Sequence, residues 1–370
     1  MARLLGSFSA SMFDPFKAQI LSWRAMGMGV TAILRRLGFG SRQNLYKYLY
    51  KLRIIGENKT TKVALKVKMA WPLWLKVRHA KARIRAFYEA QKGAVYVAFS
   101  GGKDSTVLLH LVRSLYPDVK AVFCNTTNEY GEILQFVKAT PNVITLKPKM
   151  SFNQIVETHG FPLVSKKVTR AVYDLRHPTL SNANSRRMYL EGVSMKGQDL
   201  SRYKLAQKWH FLREVPFEIT NRCCDILKKE PFKRFEKQSG LRPIMGTMAL
   251  ESDLREKNYL KYGCNVFEGE ARSRPLSIFS EKDIWRYIRK HRLPYAGIYD
   301  TVKINGKKVA GERRTGCAYC AFGAHLEAKE DNRFTRLAIR KPKQFAKMMA
   351  LENNGVRFDE ALKKVGVGLI

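Results

Sequence analysis

Acidic residues are scarce in this sequence. Its 370 residues include 31 Asp and Glu against 68 Lys and Arg, which leaves a formal net charge of +37. A field of this sign and strength attracts polyanions over long distances. The composition therefore predicts a nucleic acid or a nucleotide as the first class of partner to consider.

Long hydrophobic runs are absent as well. No apolar stretch approaches the ~20 residues that a membrane-spanning helix needs, which excludes a transmembrane protein. The first apolar stretch is interrupted by Gly6, Ser7 and Ser9, so it makes a poor signal peptide. Apolar residues still make up 45% of the chain, which excludes wholesale disorder. We expect a globular cytoplasmic protein with no membrane partner.

Cysteine is limited to six residues, and four of them fall into two pairs. In a reducing cytoplasm they are better explained as metal ligands or free thiols than as disulfides. Cys223 and Cys224 are adjacent, and Cys317 and Cys320 form a CxxC motif. Adjacent cysteines seldom bond each other without strain, whereas four thiolates brought together suit an iron–sulfur cluster or Zn²⁺.

Three short amphipathic helices are predicted near the N-terminus, over residues 15–26, 31–37 and 42–53. The third begins after the capping residue Ser41 and carries Leu45 and Leu49 on one face. Its polar residues suit a recognition helix in a major groove, and they are Arg42, Gln43, Asn44, Lys47 and Lys51. The segment resembles a small helix-turn-helix domain that docks on DNA or RNA. An inert or protein-binding helical cap is the alternative.

A second basic stretch, residues 165–213, interleaves Lys and Arg with aromatic side chains such as Tyr173, Tyr203 and Trp209. This mixture suits a groove in which phosphates meet cations while bases stack on rings. A solvated surface of a generally basic protein is the alternative interpretation.

A short apolar run leads directly into a glycine-rich loop and a helix. Residues 95–99 are typical of a strand covered on both faces, and residues 106–115 are helical in pattern. Between them, backbone N–H groups beside two glycines can approach phosphate oxygens, and the helix N-terminus adds partial positive charge. We predict a nucleotide-binding loop, distinct from a Walker A motif, made of Ser100, Gly101, Gly102, Lys103, Asp104 and Ser105.

Lys103 and Asp104 are the candidate catalytic residues of this loop. Lys103 supplies a full positive charge, while Asp104 orients the loop or helps to hold Mg²⁺ against the phosphates. Two further strands are predicted near residues 119–125 and 142–147, with a helix near 131–138 between them. Alternating strands and helices favour a parallel sheet whose site lies at the carboxyl ends of the strands. The nucleotide contacts predicted there are Asn125, Thr126 and Thr127.

The hexapeptide Ser-Gly-Gly-Lys-Asp-Ser in this setting resembles the phosphate loop of the ATP-pyrophosphatase superfamily. With the two cysteine pairs, residues 96–323 are similar to the phosphoadenosine-phosphosulfate (PAPS) and adenosine-phosphosulfate (APS) reductase family. The resemblance implies an α/β fold with a parallel, doubly wound sheet of the adenine nucleotide alpha hydrolase-like type, to which this sequence adds a small all-α N-terminal domain. It also implies a [4Fe-4S] cluster, with Zn²⁺ as the alternative, held by Cys223, Cys224, Cys317 and Cys320.

A later segment strengthens the resemblance. Gly246, Glu251 and Arg255 lie in a stretch similar to the family's glycine, Glu-Ser, Arg segment, which implies that they contact the nucleotide. Residues 274–300 match the helix and loop that close the family's domain. The ligand implied by the resemblance is ATP or PAPS, with Mg²⁺.

Two departures from the family bear on the reaction. Its reductases use a cysteine near the C-terminus in a Cys-Gly-Leu-His setting, whereas no cysteine follows Cys320 here. Cys124 and Cys264 have no visible activating histidine or helix N-terminus beside them, so we expect packed thiols. Met248 stands where the family usually has an arginine, which removes a charge that could grip an anionic substrate.

We therefore expect a nucleotide-binding enzyme of this superfamily that has lost sulfonucleotide reduction and acts on or beside nucleic acid, DNA in preference to RNA. The related branch that sulfurates DNA implies ATP α–β cleavage, adenylation and sulfur handling, with a cysteine desulfurase or thioredoxin-like donor as partner. Two alternatives stay open. One is a PAPS or APS reductase that forms sulfite, and the other is a DNA-binding accessory or regulatory protein without turnover, in a mobile-element or CRISPR-associated nucleoprotein complex.

The chain is expected to divide into four parts. They are a helix-turn-helix-like basic domain over residues 1–54, a basic linker and helix over 55–92, the nucleotide-binding domain with the four-cysteine site over 93–330, and a basic helical tail over 331–370. In this division the nucleotide loop and all four paired cysteines belong to one domain.

Overall fold

The computed structural model of the chain describes residues 11–25, 28, 30–51 and 61–369. The helices in these residues are α1 Lys17–Ala25, α2 Val30–Leu37, α3 Arg42–Lys51, α4 Lys62–Ala70, α5 Leu73–Ala90, α6 Lys103–Arg113, α7 Gly131–Ala139, α8 Phe152–His159, α9 Lys166–Arg176, α10 Ala183–Glu191, α11 Glu230–Ser239, α12 Asp253–Tyr262, α13 Glu281–His291, α14 Arg333–Arg340, α15 Pro342–Met349 and α16 Phe358–Lys364. None of them combines the length and the apolar character needed to cross a membrane.

The strands are short, with two to four residues each. They are β1 Val95–Ala98, β2 Ala121–Cys124, β3 Val143–Leu146, β4 Leu163–Val164, β5 Arg242–Met245, β6 Asn265–Val266, β7 Arg272–Ser273, β8 Val302–Ile304, β9 Lys307–Val309, β10 Ala321–Phe322, β11 Glu352–Asn353 and β12 Val356–Arg357.

The chain divides into two compact units. The first holds the described residues up to Val95 together with His110–Leu115 and Arg242–His291. The second holds Tyr96–Leu109, Tyr116–Leu241 and the described residues from Arg292 onward. The nucleotide-binding loop and the four paired cysteines all fall in the second unit.

In the first unit, helices α1 to α3 pack around an apolar core of their own. Ile20, Ile33, Leu45 and Leu49 are fully buried in it, and partly buried aromatic rings cover them. The Oγ atom of Ser41 accepts a hydrogen bond from the backbone N–H of Asn44 and so caps α3, as the sequence predicts. The three short helices therefore have the apolar centre that a separate small domain needs.

A buried ion pair joins α5 to α13 within the same unit. The ammonium of Lys76 lies 2.6 Å from the carboxylate of Asp283, and both side chains are almost fully buried. Ser280 donates two further hydrogen bonds to that carboxylate. Burial acts to raise the pKa of Asp283, but the hydrogen bonds from Lys76 and Ser280 hold it below its ordinary value. The strands of this unit are arranged β5-β7-β6, with β5 and β7 parallel and β6 antiparallel to β7.

In the second unit, β1, β2 and β3 are parallel and lie in the order β3-β2-β1. Every residue of β2 is buried, as expected for a strand covered on both faces. A second parallel pair, β4 with β10, ties the residues just after the CxxC motif to the segment before α9. Helices α14 to α16 follow in the same unit and pack against one another and against β9.

The α/β fold with mostly parallel strands, predicted from the sequence, is confirmed. Two local predictions need correction. The helix after the glycine loop begins at Lys103 rather than at residue 106, because Lys103, Asp104 and Ser105 already form its first turn. The stretch predicted as a basic linker is helical from Lys62, where the Thr61 side chain caps α4. Residues 52–60 lie outside the described part of the chain.

The Lys76–Asp283 pair yields a stability prediction. Lys76→Met leaves the buried carboxylate of Asp283 without the cation of this pair. The variant should lower the free energy of unfolding by about 3–5 kcal/mol, measured by urea denaturation. The double variant Lys76→Met/Asp283→Asn should recover much of the loss. Since the pKa of Asp283 is depressed in the fold, the wild-type contribution is present above pH ~4 and is lost as the pH falls below that range. A loss under 1 kcal/mol in the single variant would contradict this assignment.

Candidate nucleotide and cysteine site

The glycine loop joins β1 to α6 in a tight turn. The Oγ atoms of Ser100 and Ser105 lie 3.1 Å apart, and the Ser100 backbone N–H donates to Ser105 Oγ. Gly101 has a φ of +70°, and a Cβ atom there would lie 2.9 Å from the side chains of Ile133 and Val137. A residue with a side chain is therefore excluded at this position by both conformation and space.

Lys103 is held inside the loop and is only 2% exposed. Its ammonium donates to the carbonyl oxygen of Arg313 at 2.9 Å and lies 4.0 Å from the carboxylate of Asp104. The same ammonium sits 5.2 Å from the ring centroid of Tyr299, and the Lys103 backbone N–H donates to the Tyr299 hydroxyl at 3.0 Å. The predicted phosphate-binding groups are thus gathered in one place and are covered by residues 299–315.

A cavity of about 140 Å³ opens beside the loop. Its lining includes Ser100 from the loop, Thr126 and Glu129 from the turn after β2, Lys228, and Thr315. Ser100 and Thr126 were both predicted as nucleotide contacts from the sequence. The cavity lies at the carboxyl ends of β1 and β2, where ligands bind in open parallel sheets.

The turn after β2 is organised by Glu129. Its carboxylate accepts hydrogen bonds from the hydroxyl and the backbone N–H of Thr126, and burial raises the pKa of this carboxyl. Asn125 Oδ1 accepts from the Thr127 N–H, and Thr127 adopts a φ of +63°. Asn125 and Thr127 therefore shape the turn, while Thr126 faces the cavity.

The four predicted cysteines line one small cavity next to the first. Cys223 and Cys224 lie on one part of its wall and Cys317 and Cys320 on another, with Lys228 shared between this cavity and the nucleotide cavity. In the described part of the chain, no three His, Cys, Asp or Glu side chains already converge on a single metal position. The structure thus brings the four thiols to one cavity without gathering them around one point.

The thiols differ in acidity. A hydrogen bond from the Cys223 thiol lowers the pKa of Cys224, and Lys166 adds to the effect. The same bond, with burial, raises the pKa of Cys223. Burial raises the pKa of Cys320 to about 11 and also raises that of Cys317, which Lys228 partly offsets.

Lys228 is a site residue that the sequence reasoning did not single out. It lies on a π-helical turn, Asp225–Lys229, between the vicinal cysteines and α11. Desolvation acts to lower its pKa, but Cys317 and Glu129 raise the pKa above its ordinary value. π-Helical turns are rare and frequently occur at functional sites. The cation therefore stands between the thiols and the nucleotide cavity.

Asn128 is a second residue that the sequence did not reveal. Its backbone carbonyl accepts from the Ala318 N–H at 2.7 Å, and its Oδ1 accepts from the Tyr319 N–H at 2.9 Å. Asn128 lines the cysteine cavity, and its amide nitrogen is buried there without a hydrogen-bond partner among the described residues. It therefore clamps the CxxC segment.

The two remaining cysteines are packed thiols. Burial raises the pKa of Cys124 to about 12, and its Sγ lies 3.2 Å from the carbonyl of Leu227. Burial likewise raises the pKa of Cys264 to about 11 in the first unit. Contrary to the sequence expectation a histidine does lie beside this thiol, with His79 Nε2 at 3.7 Å from its Sγ. Neither thiol has the lowered pKa of a nucleophilic cysteine.

The other predicted site residues lie in the first unit. Gly246 follows β5, and Glu251 accepts a hydrogen bond from the Met248 N–H and pairs with Arg255. Arg42, Gln43 and Asn44 are exposed on α3, while the side chains of Lys47 and Lys51 lie outside what the structure describes. The nucleic-acid role of α3 stays a prediction.

The profile of the phosphoadenosine phosphosulfate reductase domain matches residues 94–176 and 181–322. The chain belongs to this family and is one of its nucleotide-binding proteins. It is similar to an uncharacterized protein of Methanocaldococcus jannaschii, with 24% identity over 287 residues that cover 76% of this chain and 54% of that protein. A second protein of the same organism is 24% identical over 265 residues, 70% of this chain and 42% of that protein. The chain thus spans about half the length of these two relatives.

Enzymes of known activity are also similar to this chain. The adenosine 5'-phosphosulfate reductase of Bacillus mycoides is 21% identical over 241 residues, which cover 64% of this chain and 76% of that enzyme. Among solved structures, the phosphoadenylyl-sulfate reductase of Candida auris in a phosphate complex aligns with a TM-score of 0.32 and 16% identity, over 58% of this chain and 83% of that one.

The glycine loop gives a prediction with a matched control. Gly101→Ala forces a Cβ against Ile133 and Val137 at a positive φ, so it should weaken ATP binding at least 10-fold in calorimetric titrations. Gly131→Ala, at the start of α7, meets no atom within 4 Å and should bind ATP like the wild type. Equal binding by the two variants would mean that the loop does not hold the nucleotide.

Proposed function

We propose that this protein is an ATP-dependent enzyme that adenylates an oxygen of a nucleic acid, releases pyrophosphate and then introduces sulfur at that position. The observation that carries the proposal is the position of Lys228, which lines both the cavity beside the phosphate loop and the cavity of the four cysteines. Two adjoining cavities that share a cation allow an activated nucleotide and a sulfur centre to serve one substrate.

The chain's own groups account for the first step. An oxygen of the acceptor attacks the α-phosphorus of ATP, the bond to the bridging oxygen breaks, and pyrophosphate leaves with that oxygen. Lys103 and the N–H groups at the start of α6 would hold the leaving pyrophosphate, with Asp104 as the candidate ligand of Mg²⁺. A sulfur nucleophile, supplied by a cysteine desulfurase or a thioredoxin-like donor, would then displace AMP from the activated carbon.

We propose a [4Fe-4S] cluster as the resident group of the cysteine cavity. Each cysteine of such a cluster binds its own iron, so the four sulfurs need not converge on one point as they must on a single Zn²⁺. Asn128 supports this fit, because its buried amide nitrogen is a donor that a cluster sulfur would satisfy. Cys223, Cys224, Cys317 and Cys320 would hold the cluster, which would supply electron transfer or sulfur.

Nucleic acid is the proposed acceptor because of the surface formed by residues 165–213. Lys167 and Arg202 both lie over the ring of Tyr203, and Lys208 lies over Trp209. Helix α9 begins at Lys166, whose ammonium is bonded to the Cys224 thiol. The ring of Trp209 is buried and offers no face for a base, which corrects the stacking role expected from the sequence. A strand whose phosphates follow these cations would reach the edge of the cysteine cavity. Helix α3 is the proposed second contact, with DNA in preference to RNA.

Sulfonucleotide reduction is the second candidate, and the similarity to the Bacillus reductases favours it. Against it, the pKa values of Cys124 and Cys264 are raised to about 12 and 11, so neither is ready to attack a sulfonucleotide. The residues after Cys320 contain no thiol and fold as α14 to α16. The reductive reaction would need a nucleophilic cysteine that these residues do not supply.

Pyrophosphate release tests the proposed reaction. Protein incubated with ATP, Mg²⁺ and single-stranded DNA should release pyrophosphate, with AMP following only when a sulfur donor is added, and Lys103→Ala should lower the rate of pyrophosphate release by at least about 100-fold. Lys347→Ala, an exposed lysine on α15, is the matched control and should leave the rate unchanged. ADP as the product would exclude α–β cleavage, and sulfite from PAPS would favour the reductase. Salt-sensitive DNA binding without any product would indicate an accessory protein.

The cysteine cavity can be tested separately. Protein purified without oxygen should absorb near ~400 nm and contain about four irons and four sulfides per chain. Cys317→Ser should lose the absorbance and most of the iron, while Cys264→Ser, in the first unit, should keep both. A colourless wild-type protein that contains zinc would contradict the cluster.

A further inference from the structure

Two hydroxyl groups occupy the anion-binding face of the phosphate loop. The Lys103 N–H, which such a loop offers to a phosphate oxygen, instead donates to the Tyr299 hydroxyl at 3.0 Å. The Tyr299 hydroxyl lies 2.8 Å from Thr315 Oγ1, and that oxygen is 2.5 Å from where a Cβ of Gly102 would lie. Both oxygens stand where phosphate oxygens would be bound.

Thr315 belongs to a segment, residues 311–316, that covers the loop and is fixed at both ends. We call this segment the strap. At its start, the carboxylate of Glu312 is buried and forms a two-point ion pair with Arg336 at 2.8 and 2.9 Å. Just beyond its end, Asn128 holds the N–H groups of Ala318 and Tyr319. Between these anchors residues 313, 314 and 316 are exposed, and a Cβ at Gly316 would meet nothing within 4 Å. The part of the strap with room to move is therefore residues 313–316.

The strap also holds the charge of the loop. The Lys103 ammonium donates to the Arg313 carbonyl at 2.9 Å, and Lys103 is 2% exposed as a result. A phosphate cannot reach this ammonium or the Lys103 N–H while the Arg313 carbonyl and the Tyr299 hydroxyl keep their positions. Ligand binding at the loop therefore requires that these neutral acceptors be exchanged for phosphate oxygens.

We propose that Tyr299 and Thr315 are positioning residues that hold the place of phosphate oxygens, and that a bound phosphate displaces them and moves the strap. This inference rests on the proposed function only in taking the loop as the phosphate site. A charged phosphate oxygen is a stronger acceptor than a tyrosine hydroxyl or a peptide carbonyl, so the exchange favours the ligand. Because Thr315 is two residues before Cys317, the displacement also shifts this cysteine, which directly follows the strap. Binding of a phosphate at the loop thereby changes the wall of the cysteine cavity.

Pyrophosphate binding to the full-length protein tests the exchange. Tyr299→Phe removes the competing hydroxyl and should bind inorganic pyrophosphate about 3- to 10-fold more tightly than the wild type in calorimetric titrations, since a neutral hydrogen bond no longer has to be broken. Tyr295→Phe is the matched control, because Tyr295 donates to Asp300 and not to the loop. It should bind like the wild type. Unchanged or weaker binding by Tyr299→Phe would overturn the proposal.

Movement of the strap has its own readout. Trypsin cleaves after Arg313 and Arg314 in the strap. The rate of this cleavage can be compared with the rate after Lys196, which is exposed in a turn far from the strap along the chain. In the wild type, pyrophosphate should accelerate strap cleavage relative to Lys196. Tyr299→Phe and Thr315→Val should show the faster cleavage without ligand. If pyrophosphate leaves the ratio unchanged in the wild type, the displacement does not occur.

Lys103→Ala separates this inference from the proposed function. Pyrophosphate binding that is absent, or insensitive to Lys103→Ala, would refute the loop as the phosphate site and both proposals with it. If pyrophosphate binding depends on Lys103 but Tyr299→Phe and Thr315→Val behave like the wild type, only the displacement is refuted.

Discussion

The site depends on the hydrogen bonds by which Asn128 holds the CxxC segment. Its backbone carbonyl and side-chain oxygen fix two consecutive N–H groups between Cys317 and Cys320. The same turn presents Thr126 and Glu129 to the nucleotide cavity. The turn after β2 therefore contributes residues to both cavities. Two separate sites on different parts of the sheet would have no comparable connection.

Charge is distributed unevenly around this arrangement. The chain carries a net +37, yet the nucleotide cavity contains Glu129 beside Lys228, and the strap is anchored by the Glu312–Arg336 pair. Acidic side chains are thus used where a cation has to be fixed in one orientation. Much of the excess of Lys and Arg lies on surfaces such as residues 165–213, where, under the proposed function, it would attract a polyanion without specifying its sequence. Attraction and positioning are therefore performed by different residues.

Local sequence patterns were sufficient for much of this architecture. The apolar run before two glycines predicts a strand, a phosphate loop and a helix, because each rests on neighbours in the chain. The shared site of the two cysteine pairs, which lie far apart in the chain, was implied by the family resemblance. Lys228 was not singled out because a lysine in a basic run gives no sign of which groups it faces. Tyr299 and Asn128 act on partners 196 and 191 residues away, a relation that only tertiary structure creates. Even the start of α6 was placed three residues late, since its first turn consists of the loop's own Lys103, Asp104 and Ser105.

The strap closes over the loop because a buried anion site without its anion still contains donors that need acceptors. Backbone N–H groups and an ammonium withdrawn from water must find acceptors, because a buried donor left unpaired costs free energy. Neutral acceptors such as the Arg313 carbonyl and the Tyr299 hydroxyl meet this demand without the permanent ion pair that a carboxylate would form. A carboxylate in their place would compete with phosphate on nearly equal terms. Weak internal acceptors therefore keep the loop ordered while leaving it open to exchange, and the residues that make the exchange lie next to the cysteine whose position it alters.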